Sequence, residues 1–199
     1  MDLNLGDWFG FEIGAARDIG AEGPEGGLRF PVLARLDSRE FERLTLDVNL
    51  LPGDDRPTET VPLRNLFDFA GLEFVAVPMI PLAQQLAEKL HAYTRDYGGA
   101  SSRAKDLYDM LVIALEIPLP DAHGFRSVAR ETFALRRTAW PPPLPPPPPE
   151  WVGAWEGFRA TAQLPWADLN AAYAALAAFW EPLFTHAAGH WDPNPWRWS

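Results

Sequence analysis

Arg103-Ala104-Lys105-Asp106-Leu107-Tyr108-Asp109 is the stretch on which the reading of this chain turns. Its four ionisable side chains crowd the first turns of a predicted helix. Ser102 is placed to cap that helix after a loop over Thr94 to Ser102. Leu107, Tyr108, Leu111, Ala114 and Leu115 form its apolar stripe, and Pro118 and Pro120 end it. Asp106 and Asp109 are three apart and share a face, and Lys105 can pair with Asp109 at i, i+4. Asp106 also sits where the helix dipole favours an anion. The cluster is therefore either a charged helix start or part of a site.

Two upstream fragments bear on that choice. Ala87-Glu88-Lys89-Leu90 lies on the preceding predicted helix, where Leu82, Leu86, Leu90 and Tyr93 make one apolar face beginning near Pro81. Lys89 borders this face. It reads either as a snorkelling surface lysine or as a point charge that reaches a polyphosphate. Leu46-Asp47-Val48 falls inside a strand pattern, so alternation puts Asp47 on the face opposite its apolar neighbours. It reads as a solvated residue or as a hard oxygen ligand for Mg²⁺.

Working outward, strand-like runs cover Trp8–Ile13, Leu28–Leu36, Phe41–Leu51 and Leu72–Val77, with Asp37-Ser38 closing a tight hairpin. Gly20–Gly27 and Pro52–Pro57 read as turns, the latter leading into a further polar connection. A third helix is predicted over Gly124–Arg137. Trp140 to Pro149 holds eight prolines and must take a polyproline conformation, either as a stiff spacer or as a ligand for a proline-binding module. Seven of the nine tryptophans follow Glu150, and Asp168–Phe184 is helix-compatible. The closing Trp191–Trp198 segment is either draped over the core or exposed for a partner.

Composition narrows the function. The 199 residues are 47% hydrophobic, enough for a sizeable core, and apolar runs such as Leu111–Leu115 are far too short to span a membrane. A cytoplasmic chain is expected. The absence of cysteine excludes a disulfide scaffold and thiolate zinc sites, and the four scattered histidines argue against zinc chemistry. A net charge of −10 argues against bulk electrostatic coating of nucleic acid, leaving Arg126, Arg130, Arg136 and Arg137 as the best local basic face.

The strand aspartate, the helix lysine and the Arg-x-Lys-Asp-x-Tyr-Asp run, in this order, resemble the AbiEii/AbiGii toxin family of nucleotidyltransferases. The resemblance implies an α+β fold: a truncated nucleotidyltransferase-like mixed sheet followed by a helical C-terminal region. Residues 1–78 would be the remnant of the sheet and 79–139 a helical region with the Lys and Arg-x-Lys-Asp-x-Tyr-Asp motifs. Residues 140–149 would form a Pro-rich linker and 150–199 a Trp-rich helical segment. It further implies a nucleoside triphosphate substrate, Mg²⁺, an acceptor such as tRNA, and a separately encoded antitoxin. Lys89 and Asp106 would be catalytic, Arg103, Lys105 and Asp109 would support nucleotide or acceptor, and Asp47 would bind metal.

The resemblance also has a gap. Family members begin with a Gly-Ser turn and, shortly after it, an Asp-x-Asp pair that supplies the main metal carboxylates, and nothing before Asp47 matches. A chain truncated at its N-terminus and inactive alone is expected, with apolar strand surface left uncovered. The alternative is a non-catalytic interaction protein that binds a partner through its Trp-rich tail or Pro-rich run.

Overall fold

A computed structural model of the chain describes residues 8–19, 27–49, 58–63, 76–95, 103–185 and 188–199. The expected turns at 20–26 and 52–57, the expected strand residues 72–75 and the expected cap Ser102 lie outside the described residues. The fold is α+β, in two compact units, Met1–Arg56 and Pro57–Ser199.

The first unit is an antiparallel sheet of β1 (Phe9–Ile13), β2 (Arg17–Asp18), β3 (Gly27–Leu36) and β4 (Arg39–Asn49). The long β3 is central: β1 and β2 pair along one side of it and β4 along the other. Asp37 and Ser38 turn β3 into β4 with φ of 47° and 65°, the left-handed pair that matches strand twist in a two-residue hairpin. Gly14 is required where it stands, because a Cβ there would lie 2.8 Å from the Pro31 ring while its N–H bonds the Pro31 carbonyl.

Period two sorts the side chains of this sheet into two classes. Phe9, Phe11 and Ile13 pair with Leu36, Ala34 and Val32, and on β4 Leu44 stands opposite Val32 and Leu46 opposite Phe30, so one face is mostly apolar, with Arg39 opposite Leu36 and Glu42 opposite Ala34 as its charged members. The other carries Glu12, Arg29, Arg35, Arg43 and Asp47. A register slip between Ala34 and Arg35 brings Phe41 to the apolar side, edge-on to Phe9 at 5.2 Å between ring centres.

The second unit opens with a hairpin of β5 (Glu59–Pro62) and β6 (Ala76–Met79). β5 lies where the sequence suggested only a connection, its four residues being too few to show alternation between Pro57 and Pro62. The division between units thus falls ahead of residue 78, and this hairpin belongs with the helices. These are α1 (Leu82–Thr94), α2 (Ala104–Glu116), α3 (Ala122–Leu135), α4 (Val152–Ala162) and α5 (Leu169–Phe184). Asp121 caps α3 by accepting from the His123 and Gly124 amides, and Asp168 caps α5 through the Ala171 amide.

Leu86, Leu90, Leu107, Met110 and Leu111 are fully buried between α1 and α2, with Phe125, Phe179 and Trp180 completing the core from α3 and α5. Each of these aromatic rings contributes about 1.5–3 kcal/mol through burial. The Pro-rich run is bound to this body: Tyr93 donates its hydroxyl to the Pro145 carbonyl and Tyr173 to that of Leu144, both at 2.7 Å. Burial pushes the Tyr93 phenol above its ordinary range, so it stays a donor.

The Trp-rich tail closes as a hairpin of β7 (Trp191–Asp192) and β8 (Arg197–Trp198). Its indoles donate inward, Trp191 to Ala114, Trp196 to Ala175 and Trp198 to the Phe179 carbonyl, at 2.7–2.9 Å. Gly189 allows this closure, since a Cβ would collide with the Ser199 carboxyl end. Of the two readings of this tail, the draped one holds. The indole donors that a partner would use are already spent on backbone carbonyls.

Candidate functional site

The site grows from the way α1 meets α2. Leu86 and Leu90 of α1 and Leu107 and Leu111 of α2 bury one side of each helix. That packing leaves Lys89 at the seam, its stem shielded and its ammonium turned to α2. There Lys89 Nζ donates to Asp109 Oδ2 at 2.6 Å and lies 3.6 Å from Asp106 Oδ1. Lys105, one turn before Asp109 on α2, donates to both of its oxygens at 2.9 and 2.7 Å. Arg103 Nη1 stands 3.6 Å from Asp106 Oδ2. The five ionisable residues of the helical motifs therefore form one cluster, three cations around two carboxylates.

The two acids differ in electrostatics although their side chains are almost equally shielded, 15% exposed for Asp106 and 16% for Asp109. Burial raises the Asp106 pKa, and Lys89 and Arg103 only partly offset this. Burial also works against ionisation of Asp109, but hydrogen bonds from Lys105 and Lys89 outweigh it and the pKa falls. One carboxylate is thus a fixed anion that anchors lysines. The other is a group able to take a proton.

Tyr108, inside the same motif, turns away from the charges and stacks on Phe158 of α4, with ring centres 4.8 Å apart. It fixes α2 by packing. Phe158 escaped the reading of the sequence, although Trp151, Trp155 and Phe158 fall at i, i+4 and i+7 and so announce an apolar helix face. Glu88, beside Lys89, points to α3 instead: it accepts from Gln84 and from Arg136 Nη2 at 3.0 and 3.1 Å. With Arg126 donating to the Leu183 carbonyl, two arginines of the expected basic face make structural bonds, and Arg130 and Arg137 remain exposed.

Asp47 belongs to the first unit, on the charged face of its sheet. Arg29, directly across on β3, grips it with two hydrogen bonds of 2.7 Å, Nε to Oδ1 and Nη2 to Oδ2. The guanidinium bond holds the Asp47 carboxyl below its usual pKa despite slight desolvation. Both oxygens a metal would use are engaged in a cross-strand fork. Among the described residues no group of three or more His, Asp or Glu side chains could hold a metal ion. As folded, these residues do not fit a Mg²⁺ site.

A family model described as "Nucleotidyl transferase AbiEii toxin, Type IV TA system" matches residues 6–181. The chain belongs to this family. The AbiEii match runs through both units and includes Asp47, Lys89 and the whole 103–109 run, while the Trp-rich hairpin lies beyond it. The half-buried cluster between α1 and α2 is therefore part of an AbiEii nucleotidyltransferase toxin domain of a type IV toxin–antitoxin system. No curated protein matches the chain. Among the described residues of this AbiEii-family chain, no helix is long and apolar enough to cross a membrane.

Proposed function

We propose that the α1–α2 cluster is the triphosphate-handling part of a nucleotidyl-transfer site. Lys89 is its central cation: it contacts the triphosphate and offsets charge that develops as pyrophosphate leaves. Asp109 fixes Lys89 and Lys105 in place, and Arg103 and Lys105 widen the positive rim. Asp106 orients the acceptor hydroxyl and takes its proton as the oxygen bonds to the α-phosphorus, a role for which a carboxyl of raised pKa is suited. The acceptor is an RNA 3′ end, with tRNA the leading class, and a separately encoded antitoxin restrains the activity.

The observation that carries this reading is Lys89 held between two acids of opposite pKa shift on the motif helix. Mg²⁺ would supply charge neutralisation at the phosphates, and Asp47 is the residue the resemblance assigns to it. Two-metal transfer uses carboxylates that bridge both ions. Asp47, single and forked to Arg29, does not meet that need, so we expect the 199-residue chain to bind nucleotide without turning it over alone.

Equilibrium binding of labelled nucleoside triphosphate tests the first part. Lys89→Ala should weaken retention by about 100-fold and Lys105→Ala by about 10-fold, as befits a shielded and an exposed cation. Binding indifferent to Lys89 overturns the assignment. Incorporation of label into tRNA by the chain alone, abolished by Asp47→Ala, overturns the dependence on further carboxylates.

A further inference from the structure

The sheet of the first unit presents a surface that the nucleotidyl-transfer reading does not use. Phe9, Phe11 and Ile13 of β1 and Phe41, Leu44 and Leu46 of β4 flank Val32 and Ala34, which are buried beneath them. The outer residues are open to solvent, with Phe11 59%, Ile13 64% and Phe41 61% exposed. Phe9 stacks against Phe11 at 6.2 Å and meets Phe41 edge-on at 5.2 Å, so the three rings form a continuous patch across three strands. Since a large side chain offers roughly 150–250 Å², the six together expose on the order of 600 Å². Folded monomers rarely leave a contiguous apolar patch larger than about 300–600 Å² without a use for it.

Two features indicate what covers it. Six charged side chains lie on the opposite face and neutralise one another there, Arg29 with Asp47, Arg35 with Glu12 and Arg43 with Glu40, while Arg39 and Glu42, in register with Leu36 and Ala34, bring one charge of each sign to the apolar face. The apolar face therefore carries no net charge that selects an oppositely charged partner, and a like face is its best complement. The area agrees, because two copies would bury about 1,200 Å² in all, at the lower end of specific interfaces.

We propose that this face is a self-association surface, on which a second copy of the chain packs sheet against sheet. The two sheets sit about 10 Å apart, with strands at about 30°, the ordinary geometry of aligned sheet packing. A two-fold arrangement makes the contact isologous and closes it at two chains. The association does not depend on the nucleotide site.

Sedimentation of the full chain across micromolar concentrations tests this. A species of two copies is expected, and Phe41→Glu should weaken its formation by about 30-fold or more. Arg43→Gln, on the charged face, should leave it unchanged. Raising salt should preserve or strengthen the pair, since apolar burial holds it and the chain's charge of −10 opposes it. The chain has no cysteine, so single replacements report directly on proximity. Under oxidising conditions at least one of F11C, F41C and L44C should link two chains, and R43C should not. A single-copy species throughout, dissociation by salt, or linkage through R43C alone overturns the proposal.

Discussion

The Arg29–Asp47 fork and the Lys89–Asp109 pair have near-identical bond lengths, yet they do different things. In the sheet unit the pair sits on an open face, with side chains 51% and 40% exposed, where water competes for both partners. In the helical unit the acids are four-fifths shielded and stand beside the fully buried Leu107 and Met110. Only there does burial separate two neighbouring carboxyls, raising Asp106 while Asp109 is lowered. Hydrogen-bond length alone does not make a site. The dielectric around the bond decides whether a charge is an ornament of the surface or a poised group.

The same contrast governs the cores. Phe179, fully buried among Phe125, Trp180 and Trp191, should cost the helical unit about 4 kcal/mol when replaced by alanine. Val32→Ala, at one of the few buried positions of the sheet, should cost about 1 kcal/mol. Thermal and denaturant unfolding followed by near-ultraviolet circular dichroism would measure both. Equal losses would erase the distinction between the two units.

Next in size is the divided behaviour of the two acids. Asp109→Asn removes the anion shared by Lys89 and Lys105 and should destabilise by about 2 kcal/mol at neutral pH, whereas Asp106→Asn should stay within about 1 kcal/mol. Their pH dependences run in opposite senses. The depressed Asp109 contributes stability above the unfolded aspartate value of about 3.9, and that contribution is lost as pH falls through its lower folded value. The raised Asp106 favours the fold when protonated, and that contribution is lost as pH rises through its folded value. Unfolding titrations should therefore show the gap between wild type and Asp109→Asn closing in acid. A gap constant from neutral pH to pH 3 would contradict the assignment.

The smallest effect belongs to the exposed fork. Asp47→Asn should leave the melting temperature of the chain unchanged within error, because water replaces what Arg29 loses. A clear loss would mean that the sheet relies on this pair and that the comparison understates its charged face.

Much of this was legible in the residues. The stripe of Leu82, Leu86, Leu90 and Tyr93 announces α1, and Asp37-Ser38 announces the hairpin, because both signals come from neighbours a few positions apart. The motif run pointed to Arg103, Lys105, Asp106 and Asp109, and in the fold Arg103 stands beside Asp106 and Lys105 beside Asp109. Arg29 as the partner of Asp47 was not legible, although it stands opposite on β3, because register depends on how the two strands align over their whole length. The inward turn of the tail indoles was hidden for a similar reason: a Trp-rich segment has the same composition whether it covers a core or recruits a partner.

The sequence by itself determined the apolar stripes of α1 and α2, the tight turn between β3 and β4, the polyproline path of the Pro-rich run, and the family through the order of its motifs. Those follow from backbone hydrogen bonds and steric limits that act within a few residues. Tertiary structure alone decided that Lys89 meets Asp109 across 20 positions while Asp47 meets Arg29 across 18, and that burial makes one pair electrostatically strong. Coulomb energy depends on distance in space and on the water left between charges, and neither quantity is written in the order of the residues.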